Sequence, residues 1–206
     1  MKCYSMLIMA FFSTGLVFAQ SGGRTVVAVD KMNVLYYGID NPITIGAPND
    51  LQHAVVTITN GTISGSGSQR VVRPASVDQK TTITIDIQGK KTSYDFRVKN
   101  LPDPVFKVGS GKTRMPVVEF RVQSFCRADL DNFDYDVKFE VVSATVYFSG
   151  LNFNQVMVYS IRGNELTSMQ QPMEKCIPGT MVTFDDIKVQ GPDGIRTIPS
   201  RSFALY

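Results

Sequence analysis

Apolar and polar residues alternate along most of this chain, and a period of two is the repeat of a β-strand with one buried face. Residues 82–87 carry isoleucine at every second position, and residues 94–98 repeat the pattern with aromatic and β-branched residues. Gly89 lies between these stretches and favours a tight turn, so the segment predicts a β-hairpin. Alternation of this kind predicts an all-β fold.

The second part of the chain continues the pattern. Residues 136–141 alternate strictly, and residues 144–148 are β-branched and aromatic. Residues 183–189 lead into 191–194, whose Pro, Asp and Gly are typical of a turn. Residues 202–206 predict the last strand.

Helical periodicity is weak throughout. The best stretch is 164–175, where leucine and methionine recur at roughly helical spacing until Pro172 interrupts them. It predicts a turn or two of helix within a loop.

Two prolines at 102 and 104, followed by glycines at 109 and 111, mark a boundary. We therefore predict a first domain at 25–100, a linker at 101–112 and a second domain at 113–206. Each has a size suited to a sandwich, so the predicted fold is two consecutive antiparallel, immunoglobulin-like β-sandwiches.

Residues 1–19 have the pattern of a cleavable secretory signal. One lysine precedes a short apolar stretch, and small residues stand three and one positions before a predicted cut after Ala19. A membrane anchor is the alternative, but polar residues follow too soon for a span of about 20 apolar residues. We expect an exported protein with no later membrane span.

Electrostatics give no reason to expect nucleic acid or an anionic membrane as a partner. The formal net charge is +3 and falls to +2 when Lys2 leaves with the signal, since 3 − 1 = 2.

Two cysteines, Cys126 and Cys176, follow the signal. An oxidising compartment would allow them to form a disulfide, and two separately buried thiols are the alternative. Sequence leaves both arrangements open, because it does not show whether their Cβ atoms face each other.

A phosphate-binding loop is suggested by the GSGKT of residues 109–113, but Phe106 stands where its first glycine should be. Residues 115–120 also predict a strand, where the motif needs a helix. We interpret the segment as a hairpin or linker.

No other motif predicts catalysis, a metal or a cofactor. His53 is the single histidine, and no nucleophile elbow accompanies it. Asp129, Asp131, Asp134 and Asp136 crowd together, but their spacing does not match an EF-hand loop. We expect a protein that is not an enzyme.

Four ordered blocks resemble the carboxy-terminal region of GldM, the gliding-motility and type IX secretion protein. They are VDKMNVLYYGIDNPI at 29–43, FRV with PDP at 96–104, DNFDYDVKF at 131–139 and FDDIKVQGPDG at 184–194. The resemblance extends from about Thr25 to the end of the chain. It implies a pair of β-sandwich domains from a Gram-negative bacterium, periplasmic or associated with the outer membrane, with a structural role.

The resemblance also implies a function as an interaction module that binds envelope proteins, among them secretion or motility components. A removable signal in place of the family's transmembrane helix leads us to expect a free module. Homodimerisation is expected by analogy, and a surface adhesin or ligand-binding sandwich is the alternative function. The candidate contact residues are loop aromatics and turn residues: Tyr36, Tyr37, Asn41, Pro42, Asp131, Asn132 and Phe133. The alternative for each is a structural role, as a buried tyrosine or a turn-forming Asn-Pro.

Overall fold

The structure is a computed structural model that describes residues 32–46 and 54–206, and Lys31–Tyr206 form one compact unit. The predicted signal, residues 1–19, and His53 lie outside the described residues. Within the described ranges, no helix has the length and apolar character needed to cross a membrane.

Two sheets build the first sandwich. Its strands are β1 (Val34–Tyr36), β2 (Asn41–Thr44), β3 (Val55–Ile58), β4 (Thr62–Ser64), β5 (Gln69–Arg73), β6 (Thr81–Ile87) and β7 (Lys90–Lys99). One sheet has the order β1-β7-β6-β3 and the other β2-β5-β4. Leu35 and Ile83 of the first sheet form one buried cluster with Val72 of the second. The core of this sandwich therefore lies between its two sheets.

The predicted hairpin at residues 82–98 is confirmed. Strands β6 and β7 pair antiparallel from Thr81 opposite Phe96 to Ile87 opposite Lys90. Gln88 and Gly89 form the turn with φ angles of 52° and 85°. Positive φ at both turn residues matches the right-handed twist of paired strands, which explains why glycine is favoured there.

The second sandwich is larger. Its elements are β8 (Val105–Val108), β9 (Arg114–Met115), α1 (Val117–Arg121), β10 (Cys126–Asp129), β11 (Glu140–Gly150), β12 (Met157–Arg162), a 3-10 turn (Thr167–Met169), α2 (Gln170–Lys175), β13 (Thr180–Gly191), β14 (Gly194–Ile198) and β15 (Arg201–Leu205). The larger sheet has the order β12-β11-β13-β15-β9, with β14 also paired to β13, and β10 pairs with β8 in a smaller sheet. The turn predicted at 191–194 joins β13 to β14, and the last strand occupies the place predicted for it.

Aromatic side chains fill the second core. Phe106 of the smaller sheet lies 4.7 Å from Phe184 of the larger one, between ring centroids, and Phe203 lies 5.8 Å from Phe184. All three are at most 2% exposed. Burying one such side chain contributes about 1.5–3 kcal/mol, so this core is a main source of the sandwich's stability. The predicted all-β fold with consecutive β-sandwiches is confirmed; two parallel pairs, β1 with β7 and β9 with β15, are exceptions to its antiparallel pairing.

The strand predicted at residues 115–120 is wrong over most of its length. Strand β9 ends at Met115, and Val117–Arg121 form the single helical turn α1. Pro116 has extended dihedrals and directly precedes the helix. Val117 and Phe120 both become buried, and their spacing of three residues brings them onto one side of a helical turn. The missing glycine at position 106 remains an argument against a phosphate-binding loop.

The strand predicted at residues 136–141 begins later, at Glu140, and continues without a break through the second predicted strand to Gly150. Exposure does alternate from Asp136 to Phe139, as the sequence indicates. Among residues 136–139, only Phe139 forms a β-bridge, an isolated one to Ala128. Alternation thus predicted the two faces correctly, whereas the strand pairing depends on a neighbour that the pattern does not reveal.

The short helix expected within residues 164–175 is present as the 3-10 turn and α2. Pro172 is the third residue of α2. The first turn of a helix has no internal partner for its N–H groups, so a proline is tolerated there.

The domain limits at 100 and 112 stay a prediction. Residues 105–108, inside the predicted linker, form β8 and pair with β10. The chain has separate buried clusters in the two sandwiches, and Leu101 belongs to the second cluster.

Candidate functional site at the junction of the two sandwiches

The end of β1, the start of β2 and the turn between them carry four of the predicted contact residues, and a buried asparagine holds this segment. Asn41 is 0% exposed. Its Oδ1 accepts the N–H of Tyr36 at 2.7 Å, and its Nδ2 donates to the carbonyls of Tyr36, Ile39 and Val72 at 2.8, 3.0 and 3.2 Å. Because the amide is fully used inside the chain, Asn41 positions this turn and does not reach solvent.

This turn contacts the second sandwich through an aromatic cluster. The ring of Tyr36 lies 4.9 Å from Phe133 and 5.7 Å from Tyr135, both edge-to-face. Phe133 and Tyr135 lie 5.5 Å apart. Each such pair adds about 0.5–1.5 kcal/mol beyond the burial of its surface. Burial also raises the pKa of Tyr135, with smaller contributions from Tyr36 and Asp134.

Two apolar residues from the chain before β8 enter the second core. Ile39, in the β1–β2 turn, is 9% exposed, and Leu101, just after β7, is 2% exposed. Both belong to the buried cluster of the second sandwich. The chain before β8 therefore contributes apolar side chains to the core of the second sandwich.

Arg196 fastens the other side of the junction. It lies on β14, and its Nη1 donates to the carbonyl of Leu101 at 2.7 Å and to Asp103 at 3.1 Å. Its Nη2 donates to Asp193, whose side chain is 3% exposed, and its guanidinium stacks 5.4 Å from the ring centroid of Phe139. Burial opposes the charge on Arg196, but its hydrogen bonds to Asp193 and Asp103 and the attraction of those carboxylates together outweigh burial and raise the pKa.

Gly38 packs closely against Asp193 of the second sandwich. Its φ is +84°, and a Cβ at this position would lie 2.8 Å from the Cβ of Asp193. A contact below 3.0 Å to a turn held by Arg196 leaves no room for a side chain. Glycine is needed here both for its dihedral and for its size.

Two open grooves flank Gly38. The first, of about 340 Å³, lies between the sandwiches and is lined by Gly38, Ile39, Asp40, Arg73, Tyr135, Asp136, Val137, Lys138 and Pro192. The second, of about 360 Å³, is lined by Tyr37, Gly38, Gly61, Thr62, Arg73, Pro74, Ala75 and Pro192. Arg73 borders both, donates to the carbonyl of Gly38 at 3.1 Å and lies 3.5 Å from Asp40. Both signs of charge meet here, which suits contact with a polar protein surface.

The remaining predicted contact residues lie on the surface beside the aromatic cluster. Asp131 accepts a hydrogen bond from Lys107 at 2.5 Å, and that bond is the main cause of the raised pKa of Lys107. Asn132 has a φ of 55°, a turn conformation that asparagine tolerates. Pro42, Asp131 and Asn132 are exposed, Tyr37 is half-buried, and Tyr36 and Phe133 pack against each other.

Within the cluster of aspartates, Asp129 lies close to two neighbouring cations. Lys107 lies 3.4 Å from Asp129, and Arg127 donates to Asp129 at 2.8 Å. Within residues 32–46 and 54–206, no group of three or more His, Cys, Asp or Glu side chains is arranged to hold a metal ion.

Cys126 and Cys176 are buried and free in the structure. The thiol of Cys126 donates to the carbonyl of Asn164 at 3.3 Å, and that of Cys176 to the carbonyl of Pro172 at 3.4 Å. Burial raises the pKa of Cys126 to about 12 and that of Cys176 to about 11. A thiol that stays protonated at neutral pH is a poor nucleophile.

Sequence reasoning placed Tyr36 and Phe133 among the candidates but missed the residues that join the sandwiches. Arg196, Tyr135 and Ile39 were not singled out. Arg196 follows a turn glycine on a short strand, where an arginine is ordinarily a solvated side chain. Its contacts are more than ninety residues away along the chain, to Leu101 and Asp103, so no local pattern could reveal them.

Comparison with protein-family models gives two matches. The GldM third domain matches residues 24–99, and the GldM C-terminal domain matches residues 82–204. Their ranges overlap over 82–99, the hairpin formed by β6 and β7. Together they account for nearly all of the described chain.

A search of curated protein sequences finds no match. Among solved structures, a crystal structure of titin domains matches with 10% sequence identity, over 84% of this chain and 61% of the titin chain. The TM-score is 0.27, which is too low to support a conclusion about fold or function.

Proposed function

The chain belongs to the GldM family, and from that membership we propose that it is a non-enzymatic interaction module of the bacterial envelope. Family members are components of gliding-motility and type IX secretion machinery in Gram-negative bacteria. In our proposal the protein is exported to the periplasm and binds other proteins of that machinery. The observation that carries the proposal is the match of two consecutive GldM domains over residues 24–204.

The junction supports a structural role. Burial of Ile39 and Leu101 in the second core, the Tyr36 cluster and the Arg196 hydrogen bonds hold the two sandwiches in one arrangement. A fixed arrangement lets residues from both sandwiches form one binding surface, which lowers the entropy lost on association.

We propose that this surface is the partner-binding face of the module. Its exposed members are Pro42, Asp131 and Asn132, with the half-buried Tyr37 beside them. Tyr36, Asn41 and Phe133 act through them, because their own side chains are packed or hydrogen-bonded inside the junction.

The proposal can be tested by site-specific photo-crosslinking in the native host. A photoreactive amino acid replaces Tyr37 or Asn132 in the full chain, and crosslinked products are identified by mass spectrometry. We expect other envelope proteins of the motility or secretion machinery to be captured at both positions. The control position is Tyr94, which is 50% exposed on β7 away from the junction.

Two results would count against the proposal. One is equal capture at Tyr94 and at the junction positions, which would mean that the junction has no special contact. The other is labelling of the protein by membrane-impermeant reagents on intact cells without capture of machinery proteins. That outcome would favour the adhesin or ligand-binding alternative.

A further inference from the structure

We propose that the free edge of β12, together with the cleft at its beginning, binds an extended polypeptide segment of a partner by strand addition. This inference rests on the proposed role as an interaction module and specifies how one partner would be held. In the bound state the segment pairs with β12 through its backbone, and one of its apolar or aromatic side chains enters the cleft.

Strand β12 has the geometry that strand addition needs. It is the last strand of the larger sheet and, among the described strands, it pairs only with β11. The six residue pairs run from Ser143 opposite Arg162 to Phe148 opposite Met157 without a register shift. A regular edge presents unpaired N–H and C=O groups at constant spacing, and these are the groups that an added strand satisfies.

This edge lacks the usual protection against pairing. Natural edge strands are blunted by short length, proline, lysine or bulges. At six residues, Met157–Arg162 is the longest strand at a sheet edge in the described ranges, and it contains no proline, glycine or lysine. By contrast, β9 has two residues, and β2 contains Pro42. Val158 within the strand and Val156 just before it are both more than half exposed.

A cleft of about 380 Å³ opens at the first residues of β12. Its apolar wall includes Phe153 and Tyr159, which lie 5.8 and 5.7 Å from the buried ring of Phe148. Asn154 and Gln155 add exposed amide groups at its mouth. An apolar wall with a few amides suits one side chain of a bound segment and the backbone beside it.

The loop that forms the cleft is held in place. Asn152 has a φ of 73°, and its Nδ2 donates to the carbonyl of Lys175 at the end of α2, at 2.8 Å. The cleft therefore exists before a partner arrives, and little ordering would be required on binding.

Charge favours an acidic segment. Arg162 ends the strand, and Lys175 lines the cleft. Both are exposed, and neither forms an ion pair within residues 32–46 and 54–206. An extended segment with alternating apolar residues and flanking carboxylates would match the edge, the cleft and these two cations.

The test begins with a random dodecapeptide library selected on the intact protein. The strongest peptide is then measured by fluorescence anisotropy against the wild type and Val158→Glu on the edge. A charge on a free edge disfavours pairing, and a carboxylate also repels an acidic segment, so we expect Val158→Glu to raise Kd by at least about tenfold. Val55→Glu is the control, because Val55 is similarly exposed on β3 of the other sandwich.

Amide hydrogen exchange supplies the second readout. Bound peptide should slow exchange of backbone amides within residues 157–162. N-methylation of every second peptide residue should abolish binding when the methylated amides are those that pair with β12, and should preserve binding when they are the intervening amides. Strand addition would be excluded by a failure to select any peptide, by protection confined to another segment, or by binding that survives both methylation patterns. Protection of β12 that rises with protein concentration and without peptide would instead identify a second copy of the chain as the occupant.

These outcomes are separable from those of the crosslinking experiment. Peptide binding at β12 without capture of envelope proteins would contradict the proposed function and support the β12 site. Crosslinks at the junction without any peptide bound at β12 would support the proposed function and contradict the β12 site.

Discussion

The ring of Tyr36 lies edge-on to the ring of Phe133 with centroids 4.9 Å apart, although the two residues belong to different sandwiches. Their contact predicts a measurable coupling. In a double-mutant cycle with Tyr36→Ala and Phe133→Ala, we expect an interaction energy of about 0.5–1.5 kcal/mol from urea unfolding. A control cycle that combines Tyr94→Ala with Phe133→Ala should give additive losses in the free energy of unfolding. A Tyr36–Phe133 coupling below about 0.3 kcal/mol would show that the contact does not stabilise the junction.

The close approach of Gly38 to Asp193 predicts an asymmetry between two glycines. Gly38 and Gly89 have φ angles of 84° and 85°, but an added Cβ meets Asp193 at Gly38 and nothing within 4 Å at Gly89. Both alanine variants incur the same backbone strain. We expect Gly38→Ala to lower the free energy of unfolding by about 1–3 kcal/mol more than Gly89→Ala does, because only the Gly38 variant is overpacked. Equal losses in thermal or urea unfolding would contradict the close packing of the two sandwiches.

Arg196→Ala should be among the most destabilising surface-accessible substitutions. It leaves the Asp193 carboxylate, 3% exposed, without its cation, and it removes the hydrogen bond to Leu101. Breaking a buried pair from one side costs about 3–5 kcal/mol, and we expect the lower end because Arg196 is 20% exposed. Arg127→Ala is the control: its ion pair with Asp129 is exposed, so its loss should be about 1 kcal/mol or less.

A second substitution checks the cause. Adding Asp193→Asn to Arg196→Ala removes the stranded charge, so the double variant should be more stable than Arg196→Ala alone. A double variant that is less stable would mean that the loss comes from packing against Phe139 and not from the unpaired carboxylate.

The two buried thiols predict a loss of stability in alkali. Burial raises the pKa of Cys126 to about 12 and of Cys176 to about 11 from an ordinary value of 9.0. The folded state therefore favours the neutral thiol, and its contribution is complete below about pH 9 and is lost as the pH rises towards 11–12. Urea midpoints should fall less between pH 8 and pH 10 in the Cys126→Ala, Cys176→Ala double variant than in the wild type.

Labelling gives an independent check on the same residues. Iodoacetamide at pH 8 should modify Cys126 and Cys176 slowly in the native protein and rapidly in urea, as mapped by mass spectrometry. A bridged peptide under non-reducing conditions would establish the disulfide arrangement that the sequence left open.

Local patterns in the sequence predicted the elements that depend on local physics. Alternating isoleucines and Gly89 determine the β6–β7 hairpin, because the side-chain period and the turn dihedrals are properties of neighbouring residues. Residues 117–121 are a short apolar stretch whose pattern fits a strand or a helix. The stretch is helical in the structure, where Val117 and Phe120 are both buried. Propensity yields to tertiary contacts in so short a segment.

The junction was only partly predictable. The sequence indicates Tyr36, Asn41 and Phe133 as candidate contacts and leaves a structural role open for each, and the structure shows their side chains packed or hydrogen-bonded at the junction. Arg196 contacts Leu101 and Asp103 from a distant part of the chain, and no periodicity encodes such a contact. The edge of β12 likewise depends on strand order, which the alternation of residues 157–162 does not specify.

Ile39 and Leu101 come from the chain before β8 yet are buried with the residues of the second sandwich. We therefore expect the two sandwiches to unfold together, across the limits that sequence comparison draws between them. A recombinant fragment starting at residue 113 would leave part of its own interior open to water. Fragments intended for biophysical work should therefore retain the β1–β2 turn together with the second sandwich.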